Sequence, residues 1–305
     1  MQNSSSNFEI WSAIPTPLYE NRRLDKASLS RLIRHHLAHH FDGVLLLGNA
    51  GEGPYLLEED RRELVRIASG ESAGALKIAV QVTDNSSLRV LDNMERAKAD
   101  GADIAVVAEP YYFRNASAES LLNYYEETLA NACLPVCCYH LGERAPTVIE
   151  PGVIRDVYAR PEVVMIKDSS ADTIRRDIAL EARKARPALR LLNGDDFLCL
   201  DYLKAGYNGS LFGGAVFNVE YIRGIGEAHA DMNFERASTL DDTIRNLNWT
   251  IYGEKGADWL AGVKYLMMRL EIFSSWTNLL NYRLTEERRA AIDEAFENNR
   301  FFHLP

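Results

Sequence analysis

The chain has few cysteines and no long apolar run. Its four cysteines, Cys133, Cys137, Cys138 and Cys199, form no CxxC pair, so buried free thiols in a reducing compartment are expected. No stretch approaches the ~18 consecutive apolar residues that a membrane span needs. The opening residues, MQNSSSNF, contain no apolar segment typical of secretory signals. We therefore expect a cytoplasmic protein without membrane contact, in which residues 1–7 are disordered.

Basic side chains are also scarce. Lys and Arg number 34 against 44 Asp and Glu, which gives a formal net charge of −10. A nucleic-acid surface would need a local basic cluster, and the densest candidate is only the short stretch 31–40. The glycines at 48–53 do not have the dinucleotide-binding spacing, and no Walker A motif occurs. The composition therefore argues against a nucleic-acid partner or a bound nucleotide.

What the sequence does contain is a repeated β/α pattern. The short apolar runs are near-continuous, which is typical of a parallel sheet covered on both faces. They occupy residues 10–14, 43–47, 77–82, 103–108, 135–139, 163–167, 189–193 and 209–213. Amphipathic segments separate them, at roughly 25–40, 58–70, 86–100, 117–131, 150–159, 171–186 and 196–205. Eight units in about 215 residues predict an α/β fold, a (β/α)8 TIM barrel, with a doubly wound sheet as the alternative.

The remainder of the chain reads as helical. Helical patterns cover roughly 218–230, 234–252, 256–272 and 285–297. We predict that residues 8–230 form the barrel and that residues 231–305 form a C-terminal helical extension packed on it. No linker or low-complexity segment separates the two, so we expect one structural unit.

Lys167 is the most informative residue at a strand end, where TIM barrels place their chemistry. It closes the apolar run VVMI. Most strand-end lysines are solvated or ion-paired. A desolvated, neutral lysine can instead attack a carbonyl and form a Schiff base, which makes the neighbouring carbon nucleophilic without a metal.

Two further side chains lie near the end of the fifth strand run: Tyr139 closes it and Arg144 follows in the loop. Tyr139 could pass protons to and from Schiff-base intermediates, or it could be a core tyrosine with its hydroxyl at the rim. Arg144 could clamp a carboxylate, or it could pair with Glu143 or Glu150 at the surface. Taken singly, each residue favours the structural interpretation.

Together these motifs carry a family resemblance. GNAGEG, PYY, CYHLGER and MIKDSS occur in that order at the ends of strand runs two, four, five and six. The chain resembles the dihydrodipicolinate synthase / N-acetylneuraminate lyase family over roughly residues 8–300. The resemblance implies a (β/α)8 barrel, a pyruvate-dependent class I aldolase or dehydratase activity, and a homotetramer.

The resemblance also implies roles for individual residues. Lys167 resembles the Schiff-base lysine, so no cofactor beyond a covalent imine is implied, and Tyr139 resembles the catalytic tyrosine. Gly48, Asn49 and Ala50 fall in the loop that binds the carboxylate of pyruvate. The resemblance implies three other substrate-binding positions. Arg144 matches by spacing an arginine that binds the carboxylate of the aldehyde. The backbone oxygen of Leu211 would face the keto acid, and Tyr112 would reach a neighbouring subunit's site.

The chain departs from the family pattern at two places. The two hydroxyl residues of the carboxylate loop are Asn49 and Ala50 here, and Ala50 cannot pass a proton. The Tyr-Asn-x-Pro stretch has become Tyr139-His140-Leu141-Gly142. His140 is then either an added acid/base group or a polar replacement for asparagine, which we favour.

Three other clusters have structural interpretations that we favour. The histidines of His35-His36-x-x-His39-His40 are predicted to be solvated or at an interface rather than metal ligands, and we predict no metal site. Asp195-Asp196 is expected to start a helix. The aromatics between 245 and 282 are expected to be core and subunit contacts. These are Trp249, Tyr252, Trp259, Tyr265 and Trp276.

The sequence thus favours a Schiff-base-forming lyase that cleaves or condenses a 2-keto-3-deoxy-type acid, with pyruvate or a related 2-keto acid and an aldehyde as small-molecule partners. One alternative is 4-hydroxy-tetrahydrodipicolinate synthase. Others are a non-catalytic barrel that binds a keto acid, suggested by Ala50, and a metal-dependent aldolase, for which no His/Glu ligand set is evident.

Overall fold

The computed structural model describes residues 8–113, 116–256 and 258–303, so the disorder predicted for residues 1–7 concerns residues outside it. Eight strands form a closed parallel barrel in chain order, and β8 pairs with β1. The strands are β1 Glu9–Ala13, β2 Gly43–Leu46, β3 Lys77–Gln81, β4 Ile104–Val107, β5 Val136–His140, β6 Val163–Asp168, β7 Arg190–Asn193 and β8 Gly209–Phe212. The predicted (β/α)8 barrel is confirmed.

Helices follow the strands and surround the barrel. Several begin where the sequence indicates, because Ser86 and Ser117 accept backbone N–H bonds as N-caps and Pro151 occupies a first turn. The helices are α1 Lys26–Ala38, α2 Glu58–Ser72, α3 Ser87–Ala99, α4 Ala118–Ala130, α5 Pro151–Ala159, α6 Thr173–Ala185, α7 Cys199–Ala205, α8 Ala215–Ala230, α9 Phe234–Tyr252, α10 Trp259–Arg269 and α11 Glu286–Asn298. None of the helices described is long and apolar enough to span a bilayer.

The barrel interior is a packed core separate from the layer between sheet and helices. Side chains that alternate along the strands fill it, among them Trp11, Leu45, Met165 and Leu211. The same alternation turns the side chains of Tyr139 on β5 and Lys167 on β6 inward. Both residues lie near the carboxyl end of their strand. Parallel register places these two residues directly side by side.

Three helix starts differ from the prediction by three residues, and one of them is that of α10, which begins at Trp259 rather than at 256. The seventh helix begins at Cys199 rather than at 196, because Asp195 and Asp196 lie in the preceding turn. Asp195 accepts the N–H of Phe197 at 2.9 Å, and Asp196 accepts the N–H of Gly214 at 2.6 Å. Asp196 therefore faces the beginning of α8, which itself begins at Ala215 instead of 218, and does not start its own helix.

The histidine cluster is also more buried than predicted. His36 is fully buried, with its Nδ1 2.7 Å from the carbonyl of Leu32. His35 and His39 are partly buried because α1 packs against α8, where they contact Val216 O and the carboxylate of Glu220. Burial lowers the pKa of His35 to about 4 and that of His36 to about 3, so both are neutral parts of the packing.

Candidate active site

A pocket of about 690 Å³ opens at the carboxyl end of the barrel. It lies where the fold class places its active sites. The side chains that line it come from the strand ends, from the loops that follow them and from the segment around α9 and α10. They include Asn49, Ala50, Tyr55, Tyr111, Tyr139, Leu141, Arg144, Lys167, Ser169, Asp195, Asp196, Phe197, Tyr252 and Trp259.

Lys167 and Tyr139 form the floor of this pocket. Both are buried, at 4% and 6% exposure, and the Lys167 Nζ lies 3.9 Å from the centroid of the Tyr139 ring. A glycine at 194 leaves room for the lysine, since a Cβ there would lie 3.0 Å from Lys167 Cε and 2.2 Å from Ser169 Oγ. The lysine stem is thereby held between β5 and β7 with its amine at the pocket.

Burial changes the acid–base properties of both groups. Desolvation lowers the pKa of Lys167 to about 8, while the nearby Asp196 carboxylate acts in the opposite direction. A substantial fraction of the amine is therefore neutral near physiological pH and can act as a nucleophile. Burial raises the pKa of the Tyr139 phenol above its ordinary value, opposed by a hydrogen bond with Ser169, so Tyr139 is a protonated acid.

A buried ion pair between Glu52 and Lys264 anchors the glycine-rich loop after β2. Glu52 and Lys264 have fully buried side chains and bond directly to each other. The Glu52 carboxylate also accepts the N–H of Leu279, and the Lys264 ammonium donates to Thr277 O at 2.9 Å. The loop is thus tied to the segment after α10, and this pair was not anticipated from the sequence.

The loop's backbone faces the pocket at its tip. The N–H groups of Glu52 and Gly53 bond to Asn49 O and Gly48 O, at 3.2 and 3.4 Å. In the described part of the chain, the N–H groups of Asn49, Ala50 and Gly51 have no backbone acceptor, and of these three residues Asn49 and Ala50 line the pocket. Gly53 must be glycine, because a Cβ there would lie 2.0 Å from the carbonyl oxygen of Leu47.

Arg144 lies on the pocket wall but is already paired. Its Nη2 is 2.9 Å from Asp195 Oδ2 and also donates to the carbonyl of Ser169. Asp195 is buried, at 8% exposure, whereas the arginine side chain is 57% exposed. The partner is therefore neither of the glutamates considered from the sequence; Glu143 pairs instead with Arg175 at 3.2 Å.

Asp196 and Tyr252 form a second polar contact in the pocket lining. The Tyr252 hydroxyl donates to the Asp196 carboxylate, which also accepts the N–H of Gly214. Desolvation raises the pKa of Asp196 to about 6, with these two hydrogen bonds acting in the opposite direction. Tyr252 and Trp259 line the pocket, so two of the five aromatics expected to be core and subunit contacts belong to the site.

Three predicted site residues lie outside the pocket lining. Gly48 is buried, and Leu211 points into the barrel core. Tyr112 is 72% exposed and its backbone N–H donates to Asn85 at 2.7 Å. Its neighbour Tyr111, which the sequence analysis did not select, lines the pocket and receives a 3.4 Å bond from Gln81.

His140 faces away from the pocket. Its Nδ1 lies 2.6 Å from the buried Glu109 carboxylate, which also accepts the N–H of Leu141 at 3.1 Å. This contact ties the end of β4 to the loop that carries Arg144. Geometry therefore favours the interpretation of His140 as a polar structural residue over an acid/base group.

The chemistry that this arrangement supports is covalent. It combines a partly neutral amine, a protonated phenol beside it and two backbone donors at a loop tip. Within the described ranges, His, Cys, Asp and Glu side chains form no cluster of three or more that could hold a metal ion.

Comparison with known proteins agrees with this geometry. Residues 7–295 match the model of the dihydrodipicolinate synthetase family. A 4-hydroxy-tetrahydrodipicolinate synthase of Protochlamydia amoebophila is 26% identical over 236 residues, which cover 77% of this chain and 78% of the relative. The solved dihydrodipicolinate synthase of Bacteroides thetaiotaomicron is 27% identical, with a TM-score of 0.87 over 96% of this chain and 98% of its own.

A third similar protein was solved with a ligand. A prophage protein of the dihydrodipicolinic acid synthase family from E. coli K12, in complex with pyruvate, gives a TM-score of 0.85 at 20% identity over 95% of this chain and 97% of its own. The family model covers nearly the whole chain. This protein therefore belongs to the dihydrodipicolinate synthetase family and is a lyase of the class I aldolase type.

Proposed function

We propose that the protein cleaves or forms a 2-keto-3-deoxy-type acid through a Schiff base between Lys167 and pyruvate or a related 2-keto acid. The observation that carries this proposal is the buried Lys167 amine, with a pKa lowered to about 8, against the Tyr139 ring at 3.9 Å. The pyruvate complex of the similar E. coli protein supports the choice of keto acid.

The steps follow from the positions of these groups. The neutral Lys167 amine attacks the keto carbon, and loss of water leaves an iminium. Loss of a proton from C3 gives an enamine, whose carbon attacks an aldehyde to form the new C–C bond. Hydrolysis releases the 2-keto acid product. Tyr139 donates and recovers the protons, and the N–H groups of Asn49 and Ala50 hold the carboxylate.

Proton exchange at C3 of pyruvate tests this proposal without an aldehyde. Enamine formation is reversible, so the protein in deuterium oxide is expected to exchange the methyl protons of pyruvate, as followed by NMR. Replacing Tyr139 by phenylalanine is expected to slow exchange by about 10²–10⁴-fold, the usual contribution of a general acid–base group.

The matched control removes a tyrosine hydroxyl elsewhere. Tyr265 bonds to Asp293 at 3.1 Å between α10 and α11, so Tyr265→Phe is expected to leave exchange unchanged. Absence of exchange in the wild type with every 2-keto acid tried would refute the proposal. Exchange by Tyr139→Phe at the wild-type rate would show that Tyr139 is not the acid–base group.

The pH dependence gives a further expected outcome. Only the neutral Lys167 amine reacts, so the exchange rate is expected to rise with pH with a midpoint near the pKa of about 8. Asp196 raises that pKa, so Asp196→Asn is expected to move the midpoint to lower pH. Rates measured from about pH 6 to about pH 10 check this. A midpoint at the ordinary lysine value would show that the amine is not desolvated.

A second candidate is 4-hydroxy-tetrahydrodipicolinate synthase, which the names of the similar proteins favour. It requires turnover of pyruvate with aspartate semialdehyde. A non-catalytic barrel would instead be stabilised thermally by keto acids without exchanging their protons. The homotetramer, the role of Tyr112 in it and a cytoplasmic location stay predictions, which light scattering and cell fractionation test.

A further inference from the structure

We infer that the second substrate of this site is an uncharged aldehyde with an apolar body, rather than one that carries a carboxylate. This inference rests on the proposed Schiff-base function. It concerns the part of the pocket lined by Arg144 and by the aromatic side chains Phe197, Tyr252 and Trp259.

The first argument is the state of Arg144. The guanidinium would be the cation that grips a second carboxylate. Here its Nη2 is bound to the buried Asp195 carboxylate at 2.9 Å and to Ser169 O. Asp195 is itself held in place, since its other oxygen accepts the N–H of Phe197 at 2.9 Å. The positive charge is therefore compensated by a fixed partner.

The second argument is the sum of the charges. Four charged side chains line the pocket in the described part of the chain: Arg144, Lys167, Asp195 and Asp196. Lys167 reacts as a neutral amine and then carries no charge, and the keto acid adds a carboxylate to the site. A second carboxylate would then enter beside the buried carboxylates of Asp195 and Asp196 without an uncompensated cation, and these like charges would repel it.

The third argument is the aromatic part of the pocket lining. Phe197 packs on Trp249 with ring centroids 4.5 Å apart and edge-on to Tyr252 at 6.1 Å. Tyr252 in turn contacts the ring of Trp259 at 6.0 Å. Phe197, Tyr252 and Trp259 all line the pocket. An apolar group of a ligand that covers this aromatic surface is stabilised by the burial of apolar area, whereas a carboxylate gains little from contact with it.

A pair of aldehydes of equal length tests the inference. Butanal and succinic semialdehyde differ at the far end, where one has a methyl and the other a carboxylate. With pyruvate, kcat/KM is expected to be at least about tenfold higher for butanal, and benzaldehyde is expected to resemble butanal. Wild-type preference for succinic semialdehyde would overturn the inference.

Asp195→Asn tests whether the compensated charge of Arg144 causes the preference for an uncharged aldehyde. It removes the compensating charge from Arg144, so the preference for butanal over succinic semialdehyde is expected to fall about tenfold. Arg144→Gln is expected to change the ratio in the opposite direction. Asp231→Asn makes the same charge change at the exposed C-terminal end of α8 and is expected to leave the ratio unaltered. An unchanged ratio in Asp195→Asn would contradict the account.

Two measurements keep the outcomes separate. Pyruvate C3 exchange, measured first on every variant, shows whether each protein folds and forms the enamine. Absence of exchange in the wild type would contradict the proposed Schiff-base function, and it would not bear on whether the aldehyde is charged or uncharged. Where exchange proceeds without turnover, its suppression by each aldehyde measures binding directly, and stronger suppression by succinic semialdehyde than by butanal would refute the inference.

Discussion

Lys167→Ala is expected to reduce turnover of every 2-keto acid by about 10⁴-fold or more, because no other amine lines the pocket in the described chain. Lys167→Arg is expected to be equally inactive, since a guanidinium keeps its proton and cannot form the imine. Steady-state rates with pyruvate and the aldehydes above measure this loss.

The control for this loss is a lysine of the same barrel. Lys77 begins β3 at the amino end of the strands, where its exposed ammonium pairs with Asp103 at 3.1 Å. Lys77→Ala is expected to retain wild-type rates. If Lys167→Ala kept more than a small fraction of the activity, the covalent mechanism would be wrong and a non-covalent or metal-assisted reaction would have to replace it.

Lys264→Met is expected to have the largest effect on stability. It leaves Glu52 as an unpaired carboxylate in a fully buried position, and breaking such a pair costs about 3–5 kcal/mol in the free energy of unfolding. Urea denaturation is expected to show a lower midpoint with an unchanged slope. Because Glu52 anchors the loop that carries Asn49 and Ala50, the KM for pyruvate is also expected to rise.

Two controls separate burial from loss of charge. Lys26 pairs with Glu63 at 2.7 Å on the surface with a 61% exposed side chain, so Lys26→Met is expected to cost below about 1 kcal/mol. The double variant Glu52→Gln with Lys264→Met removes both charges and is expected to recover part of the loss. A Lys264→Met protein no less stable than Lys26→Met would show that the pair is not desolvated.

The fold was largely predictable because its pattern is local. Near-continuous apolar runs and capped amphipathic segments recur along the chain, and each unit can be recognised within a short window. The same regularity locates the strand ends, so the sequence predicts that Lys167 and Tyr139 lie at the ends of neighbouring strands. Their pairing in the register of β5 and β6 agrees with that expectation.

The remaining parts of the site depend on contacts between distant segments. Glu52 and Lys264 are separated by 212 residues, and Asp196 and Tyr252 by 56. Asp195-Asp196 resembled a helix start because acidic residues before an amphipathic run favour the helix dipole. The Asp196 carboxylate accepts the N–H of Gly214 and the hydroxyl of Tyr252, and these partners depend on how α8 and α9 pack over the turn, which a local pattern does not contain.

Borohydride trapping with pyruvate, followed by intact mass and peptide mapping, tests the central claim most directly. The chain provides an internal comparison, because Lys167 and Lys264 are both buried but Lys264 is bound to Glu52. We predict one reduced pyruvate adduct per chain, located on Lys167 and absent from Lys167→Ala. An adduct on Lys264 or another lysine, or none with pyruvate or longer 2-keto acids, would contradict the Schiff-base account.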